Sequence, residues 1–191
     1  MKMVGRWLVL LVVLGLGGLM FWQTKPTPKS KPTTPTDTAP PSHDDVVYDV
    51  KAWAIEPKNR QLDALIAHLG TPVSNDETLD FYGNLAIRHH FSHHHEPPLY
   101  LVVGSGVLEL VWYHANAKDD DDFKNASQAH AKKAHALATA VYGKNGNRLM
   151  QAILVGKSAP TLVGLTYATC QAYQCRLVMN TKILGITTTK V

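Results

Sequence analysis

Residues 99–113 read Leu-Tyr-Leu-Val-Val-Gly-Ser-Gly-Val-Leu-Glu-Leu-Val-Trp-Tyr. Two apolar, β-branched runs, Leu99–Val103 and Val107–Tyr113, flank the turn-forming Gly104-Ser105-Gly106. Such runs pack well on a pleated surface, and a short glycine-rich connection favours antiparallel pairing. The stretch therefore predicts a tight β-hairpin at the centre of an antiparallel sheet.

Working upstream, Arg88–Pro98 is a polar, histidine-rich segment closed by Pro97-Pro98, which reads as a loop. Leu79–Ile87 reads as a strand interrupted by Gly83-Asn84. Leu62, Leu65, Ile66 and Leu69 form one helical stripe that Gly70 and Pro72 end, with Pro57 at the expected start. Val46–Ile55 alternates as a first strand, with Tyr48, Val50, Ala52 and Ala54 on one side.

Downstream, Asp119–Asp122 supply negative charge and a cap for an alanine-rich helix over Phe123–Tyr142, which Gly143 ends. A shorter helix over Asn147–Val155 follows. Thr161–Thr169 and Arg176–Met179 predict a last hairpin, with a strand-like tail to Val191. The order β-α-β-β-β-α-α-β-β gives the fold class α+β: a mostly antiparallel sheet with two or three helices on one face.

The first 44 residues are of another kind. Trp7–Trp22 holds 16 residues without a charge. As a helix these would span about 24 Å, and Met3–Gly5 extend the run toward the roughly 30 Å of a bilayer core. Trp7 and Trp22 stand where interfacial aromatics belong, and Lys2 and Arg6 place the N-terminus in the cytoplasm. Residues 1–22 thus read as an uncleaved transmembrane signal-anchor, with no Ala-x-Ala cleavage site and no lipoprotein cysteine after the run. Residues 23–44 are rich in proline, threonine and lysine and read as a disordered linker. Residues 45–191 are left as one extracytoplasmic domain.

The formal charge of +4 resides entirely in residues 1–42. From His43 onward 14 Lys/Arg balance 14 Asp/Glu, so no basic excess remains for phosphates and nucleic acid is excluded as a partner.

Cys170 and Cys175, the two cysteines of the chain, flank Gln171–Gln174 in the last hairpin. As a four-residue loop this faces them across the first pair of the ladder, at a separation that suits a disulfide. The spacing differs from the Cys-x-x-Cys of dithiol catalysts.

The segment Arg88–Glu96 concentrates five histidines. His89, His93, His94, His95 and Glu96 are candidate ligands for Zn, Cu or Ni, since imidazole and carboxylate suit these ions. On the long helix, His130 shares a stripe with Phe123, Ala134, Leu137 and Val141, so it faces the core and needs a hydrogen-bond partner. His135 lies about 140° around that helix and cannot chelate with it.

Catalytic signatures are missing: no Gly-x-Ser-x-Gly, no phosphate-binding Gly-x-x-x-x-Gly-Lys-Ser/Thr and no His-Glu-x-x-His occurs. No cofactor is expected beyond a metal on the histidine loop. The reading is a single-pass protein of a bacterial cytoplasmic membrane with its C-terminal domain in the periplasm. Its work is non-catalytic: an accessory or scaffold subunit binding an envelope protein, or a tethered inhibitor or immunity protein. The alternative is a metal-binding or metal- or pH-sensing domain built on the histidine loop.

Overall fold

A computed structural model describes residues 46–187. The expected anchor (1–22) and linker (23–44) lie outside the described residues. Among the described residues, no helix is long and apolar enough to cross a membrane.

The hairpin of residues 99–113 lies inside a six-stranded, wholly antiparallel sheet. Its strands are β1 (Ser74–Leu79), β2 (Leu85–His90), β3 (Leu99–Gly104), β4 (Val107–Trp112), β5 (Leu165–Gln171) and β6 (Gln174–Asn180), in spatial order β1-β2-β3-β4-β6-β5. The helices are α1 (Leu62–Ala67), α2 (Asp121–Tyr142), α3 (Lys144–Ile153) and α4 (Thr181–Leu184). The fold is α+β.

Strand alternation divides the sheet's residues between two faces. Leu99, Leu101, Leu108, Leu110, Trp112, Leu177 and Met179 form one face of the core, packed with Leu137 and Val141 of α2 and Leu149, Met150 and Ile153 of α3. Ala131, Ala134 and Ala138 of α2 are also fully buried. Their small side chains let neighbouring backbones approach closely. Asp120 caps α2 by accepting from Phe123 N–H, as the acidic run implied. The opposite face is also partly covered. The turn after β1 lays Phe81 beside Tyr167 of β5, with ring centroids 5.9 Å apart, and the Arg176 guanidinium stands over Phe81 at 5.0 Å.

Four expectations are corrected. Val46–Ile55 is not a strand: it holds a 3₁₀ turn at Val50–Ala52, whose Val50 is buried in the core while Asp49 and Lys51 stay outside. Alternating burial here comes from a chain crossing the core's edge. Leu79–Ile87 is not one strand but the end of β1, a turn and the start of β2. Asp80 Oδ1 accepts from Tyr82 and Asn84 N–H, and Gly83 adopts φ +84°. Arg88–His90 belong to β2 rather than to a loop. The strand-like tail is α4, capped by Asn180 and ended by left-handed Gly185, followed by a single parallel bridge between Gln61 and Thr187.

The last hairpin is tighter than expected. Its loop is two residues, Ala172 and Tyr173, with Gln171 paired to Gln174. Cys170 and Cys175 pair in the next rung and form a disulfide. The ring is short, so its stabilisation is about 2 kcal/mol. Replacing both cysteines by serine is expected to lower the unfolding free energy by that margin, seen as a lower urea midpoint, and leave the domain folded. An unchanged midpoint counts against it.

Candidate functional site

Alternation along β2 splits the histidine cluster. Arg88 and His90 share one face, and His89 points to the other, where its Nδ1 lies 2.7 Å from Asn75 Oδ1. Asp76, opposite Arg88 on β1, accepts from Arg88 Nε at 3.0 Å and from His90 Nε2 at 2.9 Å. The Arg88 guanidinium, and secondarily His90, hold the Asp76 carboxyl down at about 2.

Phe91 and Ser92 then anchor the chain. Phe91 is buried in the core, and the Ser92 hydroxyl accepts from Leu99 N–H. His93–Glu96 form an exposed turn in which Glu96 accepts from His93 N–H at 2.8 Å. A cleft of about 480 Å³ opens between this turn and the sheet, lined by Val73, Ser74, His90, His93, His94 and Glu96.

The structure thus gathers His93, His94 and Glu96 of the expected ligand set and adds His90. It sets His89 on the other side of the strand. His95 does not line the cleft, and its ring lies against His94 at 5.4 Å between centroids. Among the described residues, no three of these side chains bring ligand atoms within 4.8 Å of one another.

A second candidate surface is β5, an edge of the sheet. Its sequence, Leu-Thr-Tyr-Ala-Thr-Cys-Gln, contains no charge and no proline. Edges normally carry such residues to prevent pairing with other chains. β1, at the other edge, does carry Asp76 and Glu77. Tyr167 of β5 and, beside the strand, Val163 and Tyr173 are exposed. Tyrosines with one apolar side and one polar tip are enriched where proteins meet.

Comparison with protein families, curated proteins and solved structures finds no match.

A third group carries no local sequence signature and centres on His114, just beyond β4. A ring nitrogen of His114 and the sulfurs of Cys170 and Cys175 lie within 4.8 Å of one another. Tyr48 stacks on His114 at 5.4 Å and 16°, its hydroxyl 3.2 Å from Nδ1. Ser127 Oγ lies 2.7 Å from the same hydroxyl. Desolvation lowers the His114 pKa below its ordinary value. The pairing of β4 with β6 creates this group, and local periodicity does not report which strands become neighbours.

The helix histidines part ways. His135 lies 3.0 Å from Asn147 Oδ1 and meets Trp53 edge-on. His130 is buried as expected, but its Nδ1 has no hydrogen-bond partner among the described residues.

Proposed function

We propose that this chain is a membrane-tethered, extracytoplasmic binding domain: a non-catalytic accessory or scaffold subunit of a bacterial envelope assembly. A tethered inhibitor or immunity protein belongs to the same physical class. The uncharged edge of β5 carries the reading, because among the described residues only β6 pairs with this strand and its outer side lies beside exposed tyrosines. Its occupant is an extended segment of an envelope protein, added as a seventh strand. The apolar run Trp7–Trp22 supports a signal-anchor in the inner membrane, and the Pro-rich 23–44 a tether to the domain. The bridge between Cys170 and Cys175 suits an oxidising compartment such as the periplasm.

The test is a photocrosslinker at Thr166 in intact membranes. We expect a partner adduct that Ala168→Pro or Thr169→Lys reduces at least tenfold, with the domain still folded by circular dichroism. Proline obstructs an added strand, and lysine places charge on the edge. An adduct of two copies of this chain would instead make the edge a dimer interface and remove the partner reading. So would a partner adduct unaffected by both changes. Replacing His93, His94 and His95 together by alanine should leave the adduct intact; its loss would favour the metal- or pH-sensing alternative.

A further inference from the structure

We propose that the thiol form of this protein holds one zinc-type divalent ion on His114, Cys170 and Cys175, so that the disulfide and the metal are alternative occupants of one site. Thiolate and imidazole are the ligands zinc prefers, and three protein ligands leave a fourth position for water or another donor.

The fold brings the three together from separate strands. Trp112, the last residue of β4, pairs with Cys175 of β6, and His114 follows two residues later. Cys175 in turn pairs with Cys170 on β5. The three ligand atoms already lie within 4.8 Å of one another. Tetrahedral coordination at ordinary zinc distances requires ligand atoms roughly 3.5–3.8 Å apart. Parting the sulfurs on reduction and small side-chain rotations supply that spacing without moving a strand.

An outer shell is also present. Metal-bound imidazoles commonly have their other nitrogen held by a neighbouring polar group, which fixes the ring. Here the Tyr48 hydroxyl lies at Nδ1, Ser127 Oγ holds that hydroxyl, and Tyr48 stacks on the imidazole. Nε2 is left as the ligand atom. Ser127 is fully buried and also accepts from Ala115 N–H while donating to Tyr113 C=O, so the shell is fixed to the backbone. Cys175 is fully buried and Cys170 nearly so, which restricts competing ligands.

The chemistry balances with a dithiol reductant. Thiol–disulfide exchange transfers two electrons to the Cys170–Cys175 bond, the reductant becomes a disulfide, and the two sulfurs end as thiols. The metal displaces both thiol protons and binds two thiolates. A disulfide oxidant reverses the exchange: the Cys170–Cys175 bond re-forms, the oxidant's disulfide takes the two electrons and leaves as two thiolates, and the ion is released. The site shares Cys170 with β5, but both cysteines are buried in the core and the readout is spectroscopic, so it is tested separately from the β5 partner reading.

The experiment uses the full chain in detergent, with His93, His94 and His95 changed to alanine to silence the exposed loop. Cobalt(II) is titrated as the probe after reduction by a phosphine, which does not compete as a thiol ligand. One cobalt per chain is expected, with thiolate-to-cobalt charge transfer and the visible bands of a tetrahedral site. The oxidised protein should show neither. His114→Ala, and the more conservative His114→Gln, should weaken binding at least tenfold, and Tyr48→Phe by about tenfold. Zinc should displace the cobalt and erase the bands. Absence of the thiolate band in the reduced protein, folded or not, overturns the proposal. So does a band of equal strength and affinity in both His114 variants.

Discussion

Replacing Gly146 by alanine is expected to destabilise the domain by about 3 kcal/mol, although alanine is the better helix former. Gly146 lies in the first turn of α3. There propensity alone favours alanine by about 1 kcal/mol. Packing reverses the sign. A Cβ at this position would stand 2.2 Å from Ala138 O, 2.5 Å from Ala138 C and 2.8 Å from Thr139 N. All three are backbone atoms of α2, so no side-chain rotation relieves the contact. The two helices must separate, and that opens the core around Leu137, Leu149 and Met150, each fully buried. Overpacking of this kind costs about 1–3 kcal/mol and occasionally more, and the cost falls on a contact with no flexible partner. Urea denaturation at pH 7.5 measures it. A variant as stable as the parent would mean that α3 can shift without disturbing its neighbours.

The legible parts of this fold are those whose pattern is local. The hairpin of 99–113 is two apolar runs around a glycine turn, and β3 and β4 occupy it almost to the residue. The long helix is alanine-rich, capped by Asp120 and ended by Gly143. The Cys170–Cys175 bridge follows from their positions in the last hairpin. The misread parts depend on partners distant in the chain. β1 is Ser-Asn-Asp-Glu-Thr-Leu, a polar segment with no strand signal of its own, and it forms by pairing with β2. Once β2 is paired, Arg88–His90 are fixed as strand residues, and alternation decides that His90 rather than His89 lines the cleft. The tail fails for the opposite reason: it reads as strand-like, but the Asn180 cap and Gly185 make Thr181–Leu184 a short helix. The group at His114 depends on both kinds of information. Its cysteines are a local feature, while its histidine arrives only through the β4–β6 pairing.

Acidification from pH 6.5 toward 4 is expected to remove about 3 kcal/mol of stability through His130 alone. Burial of the imidazole, with Lys133 nearby and only Glu96 opposing, lowers its pKa to about 4 from an ordinary 6.5. The sign follows from proton counting. Between these two values the unfolded chain binds a proton that the folded chain refuses, so unfolding stability rises with pH. The contribution is complete above pH 6.5 and is lost as pH falls to the folded value. A gap of about 2.5 pH units corresponds to about 3 kcal/mol. His89, His114 and His135 shift in the same direction, so the parent's full slope is shared. Asp76 acts in a lower window: its advantage holds above an ordinary 3.8 and disappears toward about 2. Comparison of the parent with His130→Gln isolates the single contribution. Glutamine keeps a polar side chain on α2 but cannot titrate. Urea midpoints at pH 7.5, 5.5 and 4 should fall much more steeply for the parent than for the variant. Parallel declines would show that the folded protein protonates His130 as readily as the unfolded chain. The unpartnered Nδ1 makes that outcome physically costly, because the added N–H would enter a buried site with no acceptor among the described residues.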